Sequence, residues 1–543
     1  MDYIQHPYVK SLAARGFVQG VTLTDRTTNT PLCHYFGGLR YALPPSQRWR
    51  QAQRLPDTYT YGSESNPGQC TGAAGVCPQP KFLNLSVQEG WTEDCFQCNV
   101  YVPVGEPPKD GWPVLIFLHG GWLQFGSPNS FSASQLLGET AFNAIVVMPA
   151  YRVGVFGFLY SSELEHDAAS VNESAGNQGF WDQRLALEWT RDNIALFKGN
   201  PSQITISGYS AGAYSVFYQL AYDIHLPQEK SLIKQATIWS NSPVAQPKDP
   251  SSAQDQFSQL LSALNIPEST LSPSEKLARL RSIPAKTLLD TATKLVATNQ
   301  FRPTTDSTFI RPSLFHSLDT GAFGRSLRAR NIRILLGECR DEHSLYATWY
   351  PPPQNTFSAL HDRLRAEYPP ALVTSLLNLY CPNGELPVGC GNWHADAFGL
   401  IYADIQVHKM QRGLVHSLVL GGAAHLVYRY RIEYRLRCAD DAFPPEWGVT
   451  HATDMLIWFW GNGKVVQDYE KPLIMKALIG PLTRFVHGEP DIGWGTTDYR
   501  EVRRLKPDGS VDIWQDGYWD EAMRIWKCVR ADDESANDVA AKF

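Results

Sequence analysis

A chain of 543 residues, 43% hydrophobic and 19% charged, has the composition of a globular protein with a large buried core. A net charge of -6 and the lack of any basic tract remove the electrostatic case for nucleic acid or an anionic membrane surface as a partner. No apolar run is long enough to span a bilayer, and the ten cysteines lack the paired C-x-x-C spacing of a zinc site, so no membrane span, metal or cofactor is expected.

The opening residues, MDYIQHPYVKSLAARGF, have neither the basic nor the apolar region of a secretory signal, so a cytoplasmic location is the expectation. Further on, VLIFLHGG and AIVVMPAYR are continuous apolar runs, the pattern of parallel strands buried on both faces. FLHGGWLQFGS, residues 117 to 127, follows the first of these with a turn whose glycines let a ligand approach the chain. Consecutive backbone N–H groups there suit an oxyanion hole, with Gly121 and Trp122 as donors. Trp122 is also a candidate for the substrate pocket, its indole either walling one side of the cleft or turning away to pack.

QGFWDQRLALEWTRDNIALF predicts one long, mostly buried helix carrying Trp181, Leu185, Leu187, Trp189, Ile194 and Phe197. Next, ITISGYSAGAYSVF sets Ser210 between Gly208 and Gly212, after a strand pattern and before a helix. A strand that turns sharply into a helix holds a serine clear of its own backbone, where a base can activate it, and the amide of Ala211 joins the oxyanion hole. Tyr209, beside the serine, is the second pocket candidate. KQATIWS and IRILLGE continue the strand series, while 245 to 330 and 352 to 420 read as polar, Pro-bounded helical insertions that form a cap over the sheet's carboxyl edge. No linker, repeat or low-complexity segment appears. The expectation is a single α/β domain over 1–543, with a mostly parallel central sheet flanked by helices.

The serine needs a base, and in this fold class the order along the chain is serine, acid, histidine. EWGVTHATDMLIWFWG places His451 on a glycine-bearing loop before an aromatic-rich helix, whereas His343, His361, His394, His408, His416 and His425 read as helix, loop or strand-flank residues. For the acid, IRILLGECRDEHSLY ends a strand in a polar loop. Asp341 and Glu342 both qualify, since either carboxylate can orient an imidazole and support its charge. The chemistry that follows is cleavage of a small-molecule carboxylic ester through an acyl-enzyme. Lactone opening and acyl transfer are variants of it, and a non-catalytic binding protein on the same fold is the rival.

Together these segments resemble the type-B carboxylesterase and lipase family of α/β-hydrolases, fungal members included, from FGGLRYALPP at 36 to FVHGEP at 485. EDCFQCNVYVP and GNQGFWDQRLALEWTRDNIALFKGNPSQITISGYSAG carry the densest likeness. The resemblance implies Ser210 as nucleophile, Glu342 rather than Asp341 as acid, and His451 as base. It also implies an Arg152–Asp182 ion pair, an Arg48–Glu93 pair and a Cys77–Cys95 disulfide. CPNGELPVGC leaves a Cys381–Cys390 bridge or two free thiols open, and the sequons at Asn84 and Asn172 matter only in a secreted chain. The chain departs from the family at Tyr209, where glutamate is usual, at Trp122, where glycine or alanine is usual, and at Ala452, where glycine is usual. It also has no tryptophan at the position that binds choline in cholinesterases. Each triad position is filled.

Overall fold

The computed structural model describes residues 3–243, 247–296 and 299–540. Its main strands are β1 (Tyr3–Ser11), β2 (Phe17–Asp25), β3 (Pro31–Arg40), β4 (Gln97–Pro103), β5 (Trp112–Leu118) and β6 (Ile145–Pro149). They are followed by β7 (Gly199–Tyr209), β8 (Gln235–Trp239), β9 (Arg333–Cys339), β10 (Val427–Ile432), β11 (Glu501–Leu505) and β12 (Val511–Gln515). Among the described residues these lie side by side in one sheet in the order β1-β2-β3-β4-β6-β5-β7-β8-β9-β10-β11-β12. Every pair from β6 to β11 is parallel. The remaining pairs, at both ends of the sheet, are antiparallel.

The parallel centre follows from composition. β5 and β6 are buried at every position, and one apolar cluster on each face of the sheet covers them. A strand without a polar face cannot sit at a solvated edge. The edges are built from strands such as β1, whose residues are half-buried or exposed throughout.

Helix α1 (Gln178–Asn193) is shorter than the predicted run, because Ile194–Phe197 tighten into a 3-10 turn closed by Lys198 in the left-handed region. Trp189, Leu187, Ile194 and Phe197 are buried, while Trp181 and Leu185 are half-buried. Arg152 closes a doubly hydrogen-bonded pair with Asp182 of α1 at 2.7 and 2.8 Å, both side chains being buried. Arg48 pairs in the same way with Glu93 at 2.6 and 2.7 Å, but Glu93 is 40% exposed.

The first insertion holds helices Pro250–Ala263, Pro273–Ser282, Ala285–Val296, Leu314–Asp319 and Ala322–Ala329, and its residues 245, 246, 297 and 298 lie outside the described residues. The second holds Phe357–Arg365, Pro370–Tyr380, Phe398–Ala403 and Lys409–Leu420.

The disulfide implied by resemblance is not formed: Cys77 and Cys95 are buried thiols, and Cys381 and Cys390 are likewise unbridged. The neighbouring Cys77 thiol, together with burial, raises the Cys95 thiol well above its usual range.

Candidate active site

Three of the parallel strands deliver their carboxyl ends to one place. At the end of β7, Ser210 has φ 55° and ψ −127°, a conformation that a non-glycine residue adopts only when the surroundings impose it. They do so here. The Ser210 amide donates to the Trp239 carbonyl at 2.9 Å, prolonging the ladder with β8, and its own carbonyl receives the Tyr214 amide at 3.0 Å, opening helix α2 (Ala211–Asp223). The crowding explains both flanking glycines: a Cβ on Gly208 would stand 2.2 Å from the Gly212 carbonyl oxygen, and one on Gly212 would stand 2.0 Å from that of Leu118.

The Ser210 hydroxyl lies 2.8 Å from His451 Nε2, and His451 Nδ1 lies 2.5 Å from Glu342 Oε2. The second Glu342 oxygen accepts the Cys339 amide at 2.8 Å, so this carboxylate is tied back to the end of β9. All three side chains are buried. Asp341 faces elsewhere: it pairs with Arg340 and accepts the Val449 amide at 2.8 Å, holding the segment that leads into His451. His451 itself precedes α3 (Thr453–Trp458), with Ala452 in the left-handed region between them.

At the end of β5 the chain turns through Gly121, Trp122 and Leu123, all with positive φ. A Cβ on Gly120 would stand 2.8 Å from Ser210 Cβ, which is how closely this turn approaches the serine. Among the described residues the amides of Gly121, Trp122 and Ala211 donate to no protein acceptor and remain available to a ligand. The preceding His119 is buried against Tyr151, and desolvation lowers it to about 4, so it is a neutral support for the turn.

The Trp122 indole takes both roles that the sequence left open. It stacks on Trp349 at 4.5 Å, meets Phe82 edge-on at 5.3 Å, and still lines the cleft in front of Ser210. Tyr209 lines the same cleft, its ring 4.8 Å from the imidazole of His451. The cleft encloses about 230 Å³, and its remaining walls come from residues 84–85, 125–131, 345 and 442–464 rather than from either predicted insertion.

Two further groups had no signal in the sequence. Tyr346 is buried with its ring 4.6 Å from His451, and burial raises its phenol well above the usual range, an effect that the nearby Ser210 hydroxyl partly offsets. Asp454 is fully buried near Glu342, accepts the Ser240 hydroxyl at 3.2 Å, and is raised to about 7 by desolvation and by the charge of Glu342. A tyrosine on a short helix and an acid beside a histidine are ordinary in sequence, and only the packing gives them a place. Among the described residues no His, Cys, Asp and Glu cluster is arranged to hold a metal.

Comparison with known proteins places the chain in a family. Residues 7–509 match the model of the carboxylesterase family. The chain is 41% identical to a carboxylic ester hydrolase of Gibberella moniliformis, over 99% of this chain and 100% of that protein. It is 32% identical to the para-nitrobenzyl esterase of Bacillus subtilis over 58% of this chain and 60% of that one. In structure it is similar to Aspergillus niger EstA, with a TM-score of 0.73, 21% identity and coverage of 97% of this chain and 98% of the other, which establishes a common fold. The chain belongs to the carboxylesterase family, has the α/β-hydrolase fold, and is a carboxylic ester hydrolase.

Proposed function

We propose that Ser210, His451 and Glu342 form a catalytic triad that cleaves carboxylic esters through an acyl-enzyme. The observation that carries this reading is the unbroken chain of hydrogen bonds from the Ser210 hydroxyl through the imidazole to Glu342. His451 takes the serine proton as the hydroxyl oxygen attacks the ester carbonyl, and Glu342 stabilises the imidazolium that forms. The amides of Gly121, Trp122 and Ala211 receive the charge on the carbonyl oxygen, and fixed donors of this kind need no reorganisation as the charge develops. The imidazolium then protonates the departing alcohol. Water, activated by the same histidine, attacks the acyl-serine and releases the acid.

A fluorophosphonate probe tests the assignment, because it reacts with an activated serine and stays attached. One label per chain at Ser210 is expected, and Ser210→Ala should abolish labelling and lower turnover on the order of 10⁶-fold. Full labelling of the alanine variant would overturn the assignment. Nothing in the mechanism uses a metal, so turnover should survive prolonged chelation.

A further inference from the structure

Apart from its reacting groups, the cleft in front of Ser210 is lined mainly by apolar and aromatic side chains, among them Phe131, Phe443, Met455 and Leu456. His119 is neutral there. Lys464 is the lining residue that carries a formal charge at neutral pH, and among the described residues no carboxylate lies within 4.0 Å of its ammonium. Among other sheltered lysines, Lys276 has Glu163 at 2.9 Å and Lys409 has Glu521 at 2.6 Å, while Lys248 is held by the side-chain oxygens of Gln256 and Asn299 instead of a carboxylate.

The turn that leads into Lys464 is closely specified. Trp460, Gly461, Asn462 and Gly463 are four consecutive residues with positive φ, at 50°, 95°, 50° and 83°. A Cβ on Gly461 would stand 2.2 Å from the Lys464 carbonyl oxygen. Asn462 accepts the Ser132 amide at 2.9 Å and donates to the Ser130 carbonyl at 3.1 Å. Gln135 accepts the Gly463 amide at 2.8 Å and donates to the Lys464 carbonyl at 3.2 Å. The turn is thereby clamped to the segment that supplies Ser130 and Phe131 to the cleft. Glycine and asparagine take positive φ readily, so the strain of the turn falls on Trp460, whose indole is buried. Of its neighbours, Trp460 and Val466 are buried and Val465 is 56% exposed.

We propose that the substrates of this site are esters bearing a carboxylate remote from the scissile bond, and that Lys464 binds that carboxylate. This rests on the triad reading above. In an otherwise neutral, apolar cleft a substrate carboxylate loses its water and finds one counter-charge, which makes a charge-assisted hydrogen bond and sets the register of the ester against Ser210. The chain as a whole is anionic at -6, so a local cation is also what draws an anionic ester to this opening. The carboxylate belongs either to the acid, as in a half-ester of a dicarboxylic acid, or to the alcohol, as in an ester of a hydroxy acid.

Two matched pairs of esters distinguish these sources in the full chain: para-nitrophenyl hemiglutarate against para-nitrophenyl pentanoate, and the butyrate ester of para-hydroxybenzoate against phenyl butyrate. The readout is the anionic-to-neutral ratio of kcat/KM in wild type, Lys464→Gln, Lys464→Arg and Lys464→Glu. For one pair the ratio should fall about ten- to a hundredfold in Lys464→Gln. It should fall further in Lys464→Glu and stay within about threefold of wild type in Lys464→Arg. In wild type the same ratio should drop as salt rises from about 0.02 M to about 0.5 M, a measurement that decides the matter alone if the variants do not fold. Neutral esters turned over and Ser210 labelled, with a ratio that neither Lys464→Gln nor salt moves in either pair, would overturn this proposal and leave the triad standing. No turnover of any ester and no phosphonate label would overturn both.

Discussion

Asp341 spends its carboxylate on Arg340 and the Val449 amide, while Glu342, one residue on, spends its own on His451 and the Cys339 amide. Glu342→Gln should therefore lower kcat by about 10⁴-fold with little change in melting temperature, because the imidazolium loses its counter-charge. Asp341→Asn keeps an acceptor for Val449 and should cost less than about tenfold, the kinetics of the two variants side by side being the check. A reversed order would reassign the acid. Trp122 belongs to the same scale. Because its indole both stacks on Trp349 and lines the cleft, Trp122→Ala should lower stability by about 3 kcal/mol in denaturant unfolding. It should also raise kcat/KM for a branched ester relative to a compact one by about tenfold. A stability loss with unchanged selectivity would confine the indole to packing.

At the level of elements, the serine turn works because β5, β7 and α2 approach one another more closely than side chains allow, with Gly120, Gly208 and Gly212 at the contacts. The strand leading to Arg152 is fastened to α1 by the Arg152–Asp182 pair, whose partners also engage the Arg50 carbonyl at 2.8 Å and the Arg152 amide at 3.1 Å. Arg152→Met should leave Asp182 charged and buried without its partner and cost about 3 to 5 kcal/mol, read as a shift of the urea midpoint. Molecules that remain folded should still take the phosphonate label at the wild-type rate, which separates a defect of scaffold from one of chemistry. A slowed labelling rate in the folded fraction would instead tie the pair to the reaction.

Across the whole molecule, Asp454 links the site to stability. Its ordinary value is 3.8, the value of the unfolded chain, and in the fold it is raised to about 7 by burial first and by Glu342 second. Below about pH 4 both states hold the proton and nothing is lost, but between about pH 4 and pH 7 the unfolded chain ionises while the folded one does not, so stability falls across that window. Asp454→Asn, which copies the protonated acid, should therefore gain in melting temperature over wild type as pH rises through that window, and a gap that stays flat would place the titration elsewhere. None of this was legible in the sequence, where Asp454 is one acid among many and only its place near Glu342 gives it meaning. By contrast the parallel centre of the sheet, the turn at Ser210 and the glycine turn at 120 to 121 were legible, because apolar runs and glycines report local requirements that no distant contact alters. Read from the residues, the chain is α/β with a serine at a strand end and, downstream of it, two candidate acids and a candidate histidine, and through resemblance it has a family. Only the folded chain shows which acid faces the imidazole, that the Trp122 indole stacks on Trp349 beside the cleft, that Cys77 and Cys95 are thiols, and that Lys464 is among the residues lining the cleft. For the acid and for Trp122 the reason is that the partners, His451 and Trp349, lie more than a hundred residues away in the chain, so no local pattern could pair them.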